Sequence, residues 1–400
     1  MAMEEFADNK SIMKSDLHCS DEYKIFGTFL KIIRHDFFYE LDYSNPIHVD
    51  LNSLYALSKS HDMAHFVGYS IINGYLTVNN EDSMLFQNAY YQAIRRVAIL
   101  NKEREEISKV FSNQKIDYIA LKGDFLRKIY PEEWMRVSSD IDILVRKNSL
   151  NQAMKTLIES LGCRFISRGA HHMNLVTQDK ISVELHFDLT EHEGPAKKFF
   201  DSVWESSSNK GANQYEYVMN DEMFYLFHMY HMSDHFRRGG CGIRSVLDTW
   251  VLNHCIEFNH TKRMKLLEES GLDIFAEEIE RIAEKWFTQC DVKTLCDVES
   301  FILTGGVYGA SQRVDAVLAQ SGNRKAFLLF RIFPPYRYLK NIYPILKRCP
   351  FLLPCCWLHR IGKGLISGKA KRVKYEINAS KDREHRTNEL SDMFIRLGLL

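Results

Sequence analysis

Residues 116–145 of this 400-residue chain read IDYIALKGDFLRKIYPEEWMRVSSDIDILV. Near the end of this stretch, carboxylates alternate with aliphatic side chains from Asp140, and the run then becomes wholly apolar as far as Val145. Alternation with a period of two predicts a β-strand with one polar and one buried face. Asp140 and Asp142 therefore point the same way, and two adjacent carboxylates repel each other unless a cation lies between them. A solvated edge strand is the simpler interpretation, but the apolar continuation favours a central strand.

The first half of the stretch predicts a strand, a turn and a helix. Residues 118–121 form a short apolar run, Lys-Gly-Asp at 122–124 predicts a tight turn, and Pro131 ends a short helix over 125–130. A strand–glycine–helix turn presents backbone N–H groups and the positive end of the helix dipole to an anion. Lys122 adds a positive charge to this predicted anion site.

A later segment offers a third acid. Residues 181–188 read ISVELHFD, so that Glu184 and His186 share the polar face of a predicted strand. A solvated amphipathic strand explains this segment by itself. Together with the strand that carries the two aspartates, it predicts a carboxylate site.

The order Leu-Lys-Gly, short helix, Arg136-x-Ser138-x-Asp140-x-Asp142 and a later acidic strand resembles the polymerase-beta-type nucleotidyltransferase superfamily. Within it, the chain is most similar to a branch of uncharacterised bacterial nucleotidyltransferases, and the resemblance extends over most of the chain. It implies an α+β fold, in which a small mixed β-sheet, the nucleotidyltransferase palm, is flanked by N-terminal and C-terminal helical regions. The regions expected are 1–112 (helical), 113–195 (palm) and 196–400 (helical, with a basic Pro/aromatic segment).

The resemblance also implies a reaction, in which a nucleoside monophosphate moves from an NTP to an acceptor and pyrophosphate leaves. Two Mg²⁺ ions, or Mn²⁺ in their place, are expected about 4 Å apart. The residues expected to hold them and to act in catalysis are Asp140, Asp142 and Glu184. The residues expected to bind the NTP are Lys122, Gly123, Arg136 and Ser138. The acceptor stays open between a small molecule, a protein and an RNA end.

Three further residues are substrate-side candidates: His186, Arg244 and Asp248. Arg244 and Asp248 lie on a helix predicted over 243–255, where an Arg–Asp pair four residues apart is more often structural. A helix over 221–235 carries three histidines on one stripe, at positions 228, 231 and 235. A metal site is one interpretation of this stripe, and packing with hydrogen bonds is the favoured one.

The N-terminal region predicts helices over 23–41, 51–60, 63–73 and 86–112, with Asp50 and Asp62 as caps. From about residue 196 onward the pattern predicts helices throughout.

The segment from Ala316 to Tyr375 contains no Asp or Glu but 13 Lys and Arg, interleaved with aromatic residues and prolines. Its Pro/aromatic run resembles the C-terminal signature of the same family. Three interpretations are open: a basic wall of the acceptor cleft, peripheral contact with an anionic membrane, or simple compensation of acidic charge elsewhere. We expect the first, with residues such as Arg337, Lys340 or Arg360 near the acids.

Composition narrows the function further. The 52 basic and 52 acidic residues balance, which disfavours a nucleic-acid polymerase or editing enzyme. Nine cysteines without metal-clip spacing, a polar N-terminus and the lack of a long apolar run predict a cytoplasmic protein without a transmembrane span. The alternative is a catalytically silent nucleotide-binding or regulatory, antitoxin-like module. Asp124 favours that alternative, because many superfamily members have Ser there and an acid would repel a triphosphate.

Overall fold

The computed structural model describes residues 19–38, 50–76, 78, 80–209, 214–289, 292, 294–307, 309, 312–321, 332–366 and 384–400. Contacts divide the chain into two compact units. One comprises Met1–Tyr91 and Glu284–Cys296, and the other comprises Gln92–Ala283 and Asp297–Leu400.

Helices form the first unit in its described part. They are α1 (Cys19–Phe38), α2 (Leu51–Ser60), α3 (Ala64–Ile72), the start of α4 (Asn80–Asn113) and a π-helical turn at Glu284–Thr288. Asp50 accepts hydrogen bonds from the N–H groups of Asn52 and Ser53, which confirms it as a helix cap. The second predicted cap is wrong, because Met63 occupies the N-cap position of α3. Asp62 precedes it in a left-handed conformation, with φ 57°.

A seven-stranded mixed sheet forms the centre of the second unit. Its strand order is β3-β4-β5-β2-β1-β7-β6, in which β2–β5 and β1–β7 are parallel and the other pairs antiparallel. The strands are β1 (Tyr118–Ala120), β2 (Asp140–Val145), β3 (Arg164–Arg168), β4 (His172–Val176), β5 (Ser182–His186), β6 (Ser207–Asn209) and β7 (Glu216–Met219). The α+β prediction is confirmed, although the sheet is larger than expected.

The remaining helices of this unit follow and interrupt the strands. They are α5 (Lys122–Ile129), α6 (Leu150–Leu161), α7 (Lys197–Asp201), α8 (Asp221–Arg237), α9 (Gly242–Cys255), α10 (His260–Ser270), α11 (Asp273–Ala283), α12 (Asp297–Gly305), α13 (Arg313–Ser321), α14 (Tyr336–Ile342), α15 (Leu353–Ile366) and α16 (Glu384–Arg396). Short 3₁₀ turns lie at Glu133–Met135, Lys147–Ser149, Pro344–Lys347 and Pro350–Leu352.

The prediction of helices throughout the region after residue 196 is wrong at β6 and β7. β6 has three polar residues and β7 has only four residues, so neither is long enough for a periodicity to mark it in the sequence. Their position comes from a buried network in which Glu216 accepts hydrogen bonds from Arg104 at 2.8 Å and from the Tyr118 hydroxyl at 2.9 Å. Because Tyr118 begins β1 and Glu216 begins β7, the network holds the two strands side by side.

One face of the sheet is covered by the hydrophobic core. Side chains of α4 and α6, such as Phe111 and Leu157, pack against strand residues that include Ile143, Val183 and Leu185. Since strand side chains alternate between faces, the residues between these apolar positions project to the other face. That second face carries the acids singled out in the sequence.

The predicted tight turn at residues 122–124 is instead the first turn of α5. Leu121 is the N-cap residue, and its N–H donates to the carbonyl oxygen of Asp142 at 3.0 Å. The backbone of β2 therefore fixes the start of α5 directly beside the aspartate strand.

Candidate active site

The three predicted carboxylates lie on one face of the sheet, on the neighbouring parallel strands β2 and β5. The register sets Asp142 beside Glu184 and Asp140 beside Ser182. Alternation then gives Asp140, Asp142 and Glu184 the same face. All three line a cleft of about 330 Å³. The structure therefore brings together the acids that were predicted from two separate segments.

The acids share one electrostatic environment. Burial, reinforced by the carboxylates of Asp142 and Glu184, raises the pKa of Asp140 to about 7. Burial also favours a raised pKa at Asp142, but the hydrogen bond and charge of His186, with the charge of Lys122, hold that pKa below its usual value. Full ionisation of this cluster at neutral pH requires additional positive charge, as expected of a cation site.

His186 contacts two of the acids. Its Nε2 lies 3.2 Å from Oδ1 of Asp142 and 3.5 Å from Oε2 of Glu184. Burial lowers the pKa of His186, but the hydrogen bonds and charges of both carboxylates outweigh burial and raise this pKa to about 9. One ligand atom from each of Asp142, Glu184 and His186 lies within 4.8 Å of the other two. A single metal ion can contact three atoms at this spacing.

Lys122 lines the same cleft from the first position of α5. Burial lowers the pKa of Lys122 to about 7, against the attraction of Asp142. Within the described ranges, Lys122 has no ion pair or hydrogen bond through its side chain, and its Nζ lies 5.6 Å from the centre of the Phe227 ring. A half-buried ammonium group near acids, yet paired with none of those that the structure describes, is suited to an anionic ligand.

Gly123 and Ser138 lie close together in the lining of the same cleft. A Cβ at position 123 would approach the Ser138 hydroxyl to 3.2 Å, so glycine allows the two segments to meet. The Ser138 hydroxyl donates to the carbonyl oxygen of Asp140 at 3.0 Å. Both residues thus connect the start of α5 to the start of β2.

Asp124 pairs with two basic side chains, Lys128 and Arg104. Its carboxylate lies 2.7 Å from Nζ of Lys128 and 3.8 Å from Nε of Arg104. Burial favours a raised pKa here, but these two charges hold the pKa of Asp124 below its usual value. Asp124 is not among the described residues that line the cleft. The expected repulsion between this acid and a bound triphosphate therefore loses its structural basis.

Arg136 and Asp248 form a buried ion pair at the cleft. Nε of Arg136 lies 2.6 Å from Oδ1 of Asp248, which also accepts a hydrogen bond from the Tyr130 hydroxyl at 2.7 Å. The ion-pair partner of Asp248 is therefore Arg136, which the sequence did not indicate, and the substrate-side role of Arg244 and Asp248 stays a prediction. Arg244 instead donates to the carbonyl oxygen of Val137 at 3.2 Å, and its charge opposes the rise in the pKa of Asp140.

Two site residues were missed in the sequence, His171 and His172. Residue 172 pairs with His186 across the antiparallel strands β4 and β5. Burial, together with the charge of His186, lowers the pKa of His171 to about 3. The sequence did contain a signal for them. Residues 172–176 and 182–186 both alternate, and the short turn at 177–181 between them predicts a hairpin that sets these histidines beside His186.

Helix α8 forms another wall of the cleft with the three predicted histidines. Burial lowers the pKa of His228 to about 3 and that of His235 to about 4, and it lowers the pKa of His231 well below its usual value. His228 is hydrogen-bonded to the Thr249 hydroxyl at 2.9 Å, as the packing interpretation expects. His231 and His235 pack with ring centres 4.4 Å apart and ring planes tilted by 35°, and both line the cleft.

Two lysines of the acid-free segment lie beside residues of the sheet region. Lys340 and Lys347 line a second cavity, of about 410 Å³, together with Arg168 of β3 and Lys147. This cavity shares its Thr190–His192 edge with the acid-lined cleft. Arg360 lies near Tyr343, whose pKa its charge acts to lower. The side chain of Arg337 lies outside the described residues.

A profile of the family described as "Uncharacterised nucleotidyltransferase" matches residues 48–288, which is more than half of the chain. The chain belongs to this nucleotidyltransferase family, as predicted. The match includes every predicted site residue but ends before the Pro/aromatic segment. No curated protein and no solved structure matches the chain. Among the helices that the structure describes, none combines the length and the apolar character that crossing a membrane requires.

Proposed function

We propose that this protein transfers a nucleoside monophosphate from an NTP to an acceptor, with loss of pyrophosphate. The observation that carries the proposal is the register of β2 and β5, in which Asp142 lies beside Glu184 and shares a face with Asp140. Lys122, at the start of α5, lines the same cleft. This is the arrangement that a polymerase-beta-type nucleotidyltransferase requires, and family membership supports an NTP as substrate.

The donor set fits a divalent cation. Carboxylate oxygens of Asp142 and Glu184 lie within 4.8 Å of each other, and Asp140 adds a further carboxylate on the same face. We propose that Asp140 and Asp142 hold two ions and that Glu184 completes the site nearer the acceptor. Mg²⁺ or Mn²⁺ at these positions would supply charge stabilisation for the entering and leaving oxygens.

Other residues would bind the phosphates, position the strands of the site and accept a proton. Lys122 and the N–H of Gly123 bind the departing phosphates, because a cation and a helix N-terminus both favour negative charge there. Ser138 positions β2 relative to Gly123, and the Arg136–Asp248 pair keeps Arg136 oriented at the cleft wall. A carboxylate of the acid cluster accepts the proton of the acceptor, and we assign this role to Glu184.

The alternative of a silent module rested on Asp124. Its carboxylate is bound to Lys128 and Arg104 and is absent from the described wall of the cleft. The three acids and Lys122 line one cleft, which supports an enzyme over a nucleotide sensor.

Pyrophosphate release tests the proposal. Purified protein, Mg²⁺ and each NTP are combined with cell lysate as the source of acceptor, and pyrophosphate is measured. We expect release with the wild type and a loss of several orders of magnitude with Asp142→Asn, which keeps the shape but removes the charge. Asp179→Asn is the matched control, because Asp179 pairs with Lys102 at 3.0 Å on the surface. Equal release by wild type and Asp142→Asn would contradict the proposal.

A further inference from the structure

Three imidazole rings lie together at the edge of the acid cluster. The ring centres of His171 and His172 are 4.6 Å apart, those of His172 and His186 are 5.2 Å apart, and those of His171 and His186 are 5.4 Å apart. One ring nitrogen from each lies within 4.8 Å of the other two. Three nitrogen donors at this spacing match the ligand set of His₃ metal sites.

Two ring nitrogens of this histidine cluster are buried without a hydrogen-bond partner. Nε2 of His172 accepts from the Asn174 amide at 3.3 Å, so in the neutral ring the proton is on Nδ1, which faces Nε2 of His171 at 3.3 Å. His171 then carries its proton on Nδ1, a buried atom without a hydrogen-bond partner. Nδ1 of His186 is likewise buried and without a partner. Buried polar atoms are rarely left unsatisfied, and a missing ion is one cause.

The orientation of the His186 ring favours a metal ion at Nδ1, the nitrogen that is turned away from the carboxylates. Its Nε2 is directed at the carboxylates of Asp142 and Glu184, at 3.2 and 3.5 Å. When Nε2–H donates to a carboxylate, Nδ1 is the nitrogen open to a further ligand. A histidine held between a carboxylate and a metal is a recurrent arrangement, in which the carboxylate fixes the ring and increases its basicity as a ligand.

We propose that His171, His172 and His186 bind a transition-metal ion, at a site separate from the carboxylates that would take Mg²⁺. Imidazole nitrogens favour Zn²⁺, Co²⁺ or Ni²⁺, whereas Mg²⁺ prefers oxygen ligands. As the ion binds, a doubly protonated His186 releases its Nδ1 proton to solvent. A neutral ring that carries its single proton on the ligating nitrogen instead takes the other tautomer, by proton exchange with solvent. His186 links the two sites, so the ion fixes the imidazole that contacts Asp142 and Glu184. This site goes beyond nucleotidyl transfer and does not depend on it.

Titration with Co²⁺ in excess Mg²⁺ tests this site, because Mg²⁺ occupies oxygen ligands and Co²⁺ reports imidazole ligation by its visible absorption. We expect the metal-free, full-length protein to bind one Co²⁺ per chain with a visible band and without a thiolate charge-transfer band. His171→Ala and His172→Gln should each weaken Co²⁺ binding by at least about 10-fold. His260→Ala, at the exposed start of α10, is the matched control and should bind like the wild type.

Circular dichroism melts check that each variant is folded. If His171→Ala folds poorly, the test relies on His172→Gln, which keeps a polar side chain. Complete displacement of Co²⁺ by Mg²⁺ would overturn the proposal, since the ion would then lie on the carboxylates. Wild-type Co²⁺ affinity and spectrum in both folded histidine variants would also overturn it. Pyrophosphate is not measured here, so a failure of the proposed transfer reaction leaves this result interpretable.

Discussion

The charge of Lys122 should control the pH dependence of nucleotide binding. Burial lowers the pKa of Lys122 to about 7, so the group is half charged at pH 7 in the free protein. A bound triphosphate favours the charged form, and above pH 7 the protein must therefore take up a proton when it binds. The free energy cost is about 1.36 kcal/mol for each pH unit above the pKa. Between pH 7 and pH 9, the affinity should fall roughly 50-fold.

The assay is calorimetric titration with a non-hydrolysable ATP analogue, without divalent ions, at pH 7 and pH 9. Phosphate ionisation is nearly complete over this range, because its second pKa is about 6. Lys122→Arg keeps its charge at both pH values and should lose most of the pH dependence. The dependence that remains in this variant reports Asp140, whose pKa burial and neighbouring acids raise to about 7. Lys122→Met should bind weakly at both pH values.

Thermal stability provides an independent check on Lys122. Its pKa in the folded protein is about 7, against 10.5 for an ordinary lysine, so the unfolded chain binds more protons between these values. Stability contributed by this site therefore rises with pH from about 7 to 10.5. Lys122→Met removes the cost of burying the charge and should raise the melting temperature near pH 7. Unchanged nucleotide affinity with a lowered melting temperature would refute a phosphate-binding role and indicate a structural one.

Three further predictions concern residues outside the acid cluster. Asp124→Ser should leave nucleotide affinity unchanged but lower the melting temperature by a few degrees, because Arg104 loses one of its acidic partners. The double variant Lys340→Glu, Lys347→Glu should raise the KM for the acceptor several-fold at unchanged stability. If the KM is unaltered and the wild type binds anionic vesicles in a salt-sensitive way, membrane contact is favoured instead. Burial raises the pKa of Asp36 to about 8, so stability should fall as pH rises from about 4 to 8; Asp36→Asn should remove this slope in melts at pH 5 and pH 8.5.

The common sheet face of the three carboxylates could be predicted because its signals are local. Asp140, Asp142 and Glu184 each lie in a strand whose alternation is readable within a few residues, and two such strands with matching polar faces form one sheet face. The position of Lys122 at the cleft was likewise indicated locally, because it lies between a short apolar strand and a glycine. The placement of Asp124 was readable only in part: Lys128, four residues along the same helix, is a local partner, whereas Arg104 lies on a preceding helix.

The parts that were missed depend on contacts distant in the sequence. Arg136 pairs with Asp248 and Arg104 pairs with Glu216, each across 112 positions. No local periodicity reports such pairs, so β7 was predicted wrongly as helix and the Arg136–Asp248 pair was not anticipated. His172 is different, because the hairpin that sets it beside His186 is visible in the sequence.

The most direct test of the central claim is a comparison of α-labelled and γ-labelled NTP. Each labelled NTP is incubated with Mg²⁺, lysate and either wild-type protein or Asp142→Asn. Nucleotidyl transfer predicts that the α-label becomes attached to an acceptor, that the γ-label leaves as pyrophosphate, and that Asp142→Asn does neither. Attachment of the γ-label to an acceptor, or wild-type labelling by Asp142→Asn, would contradict the account.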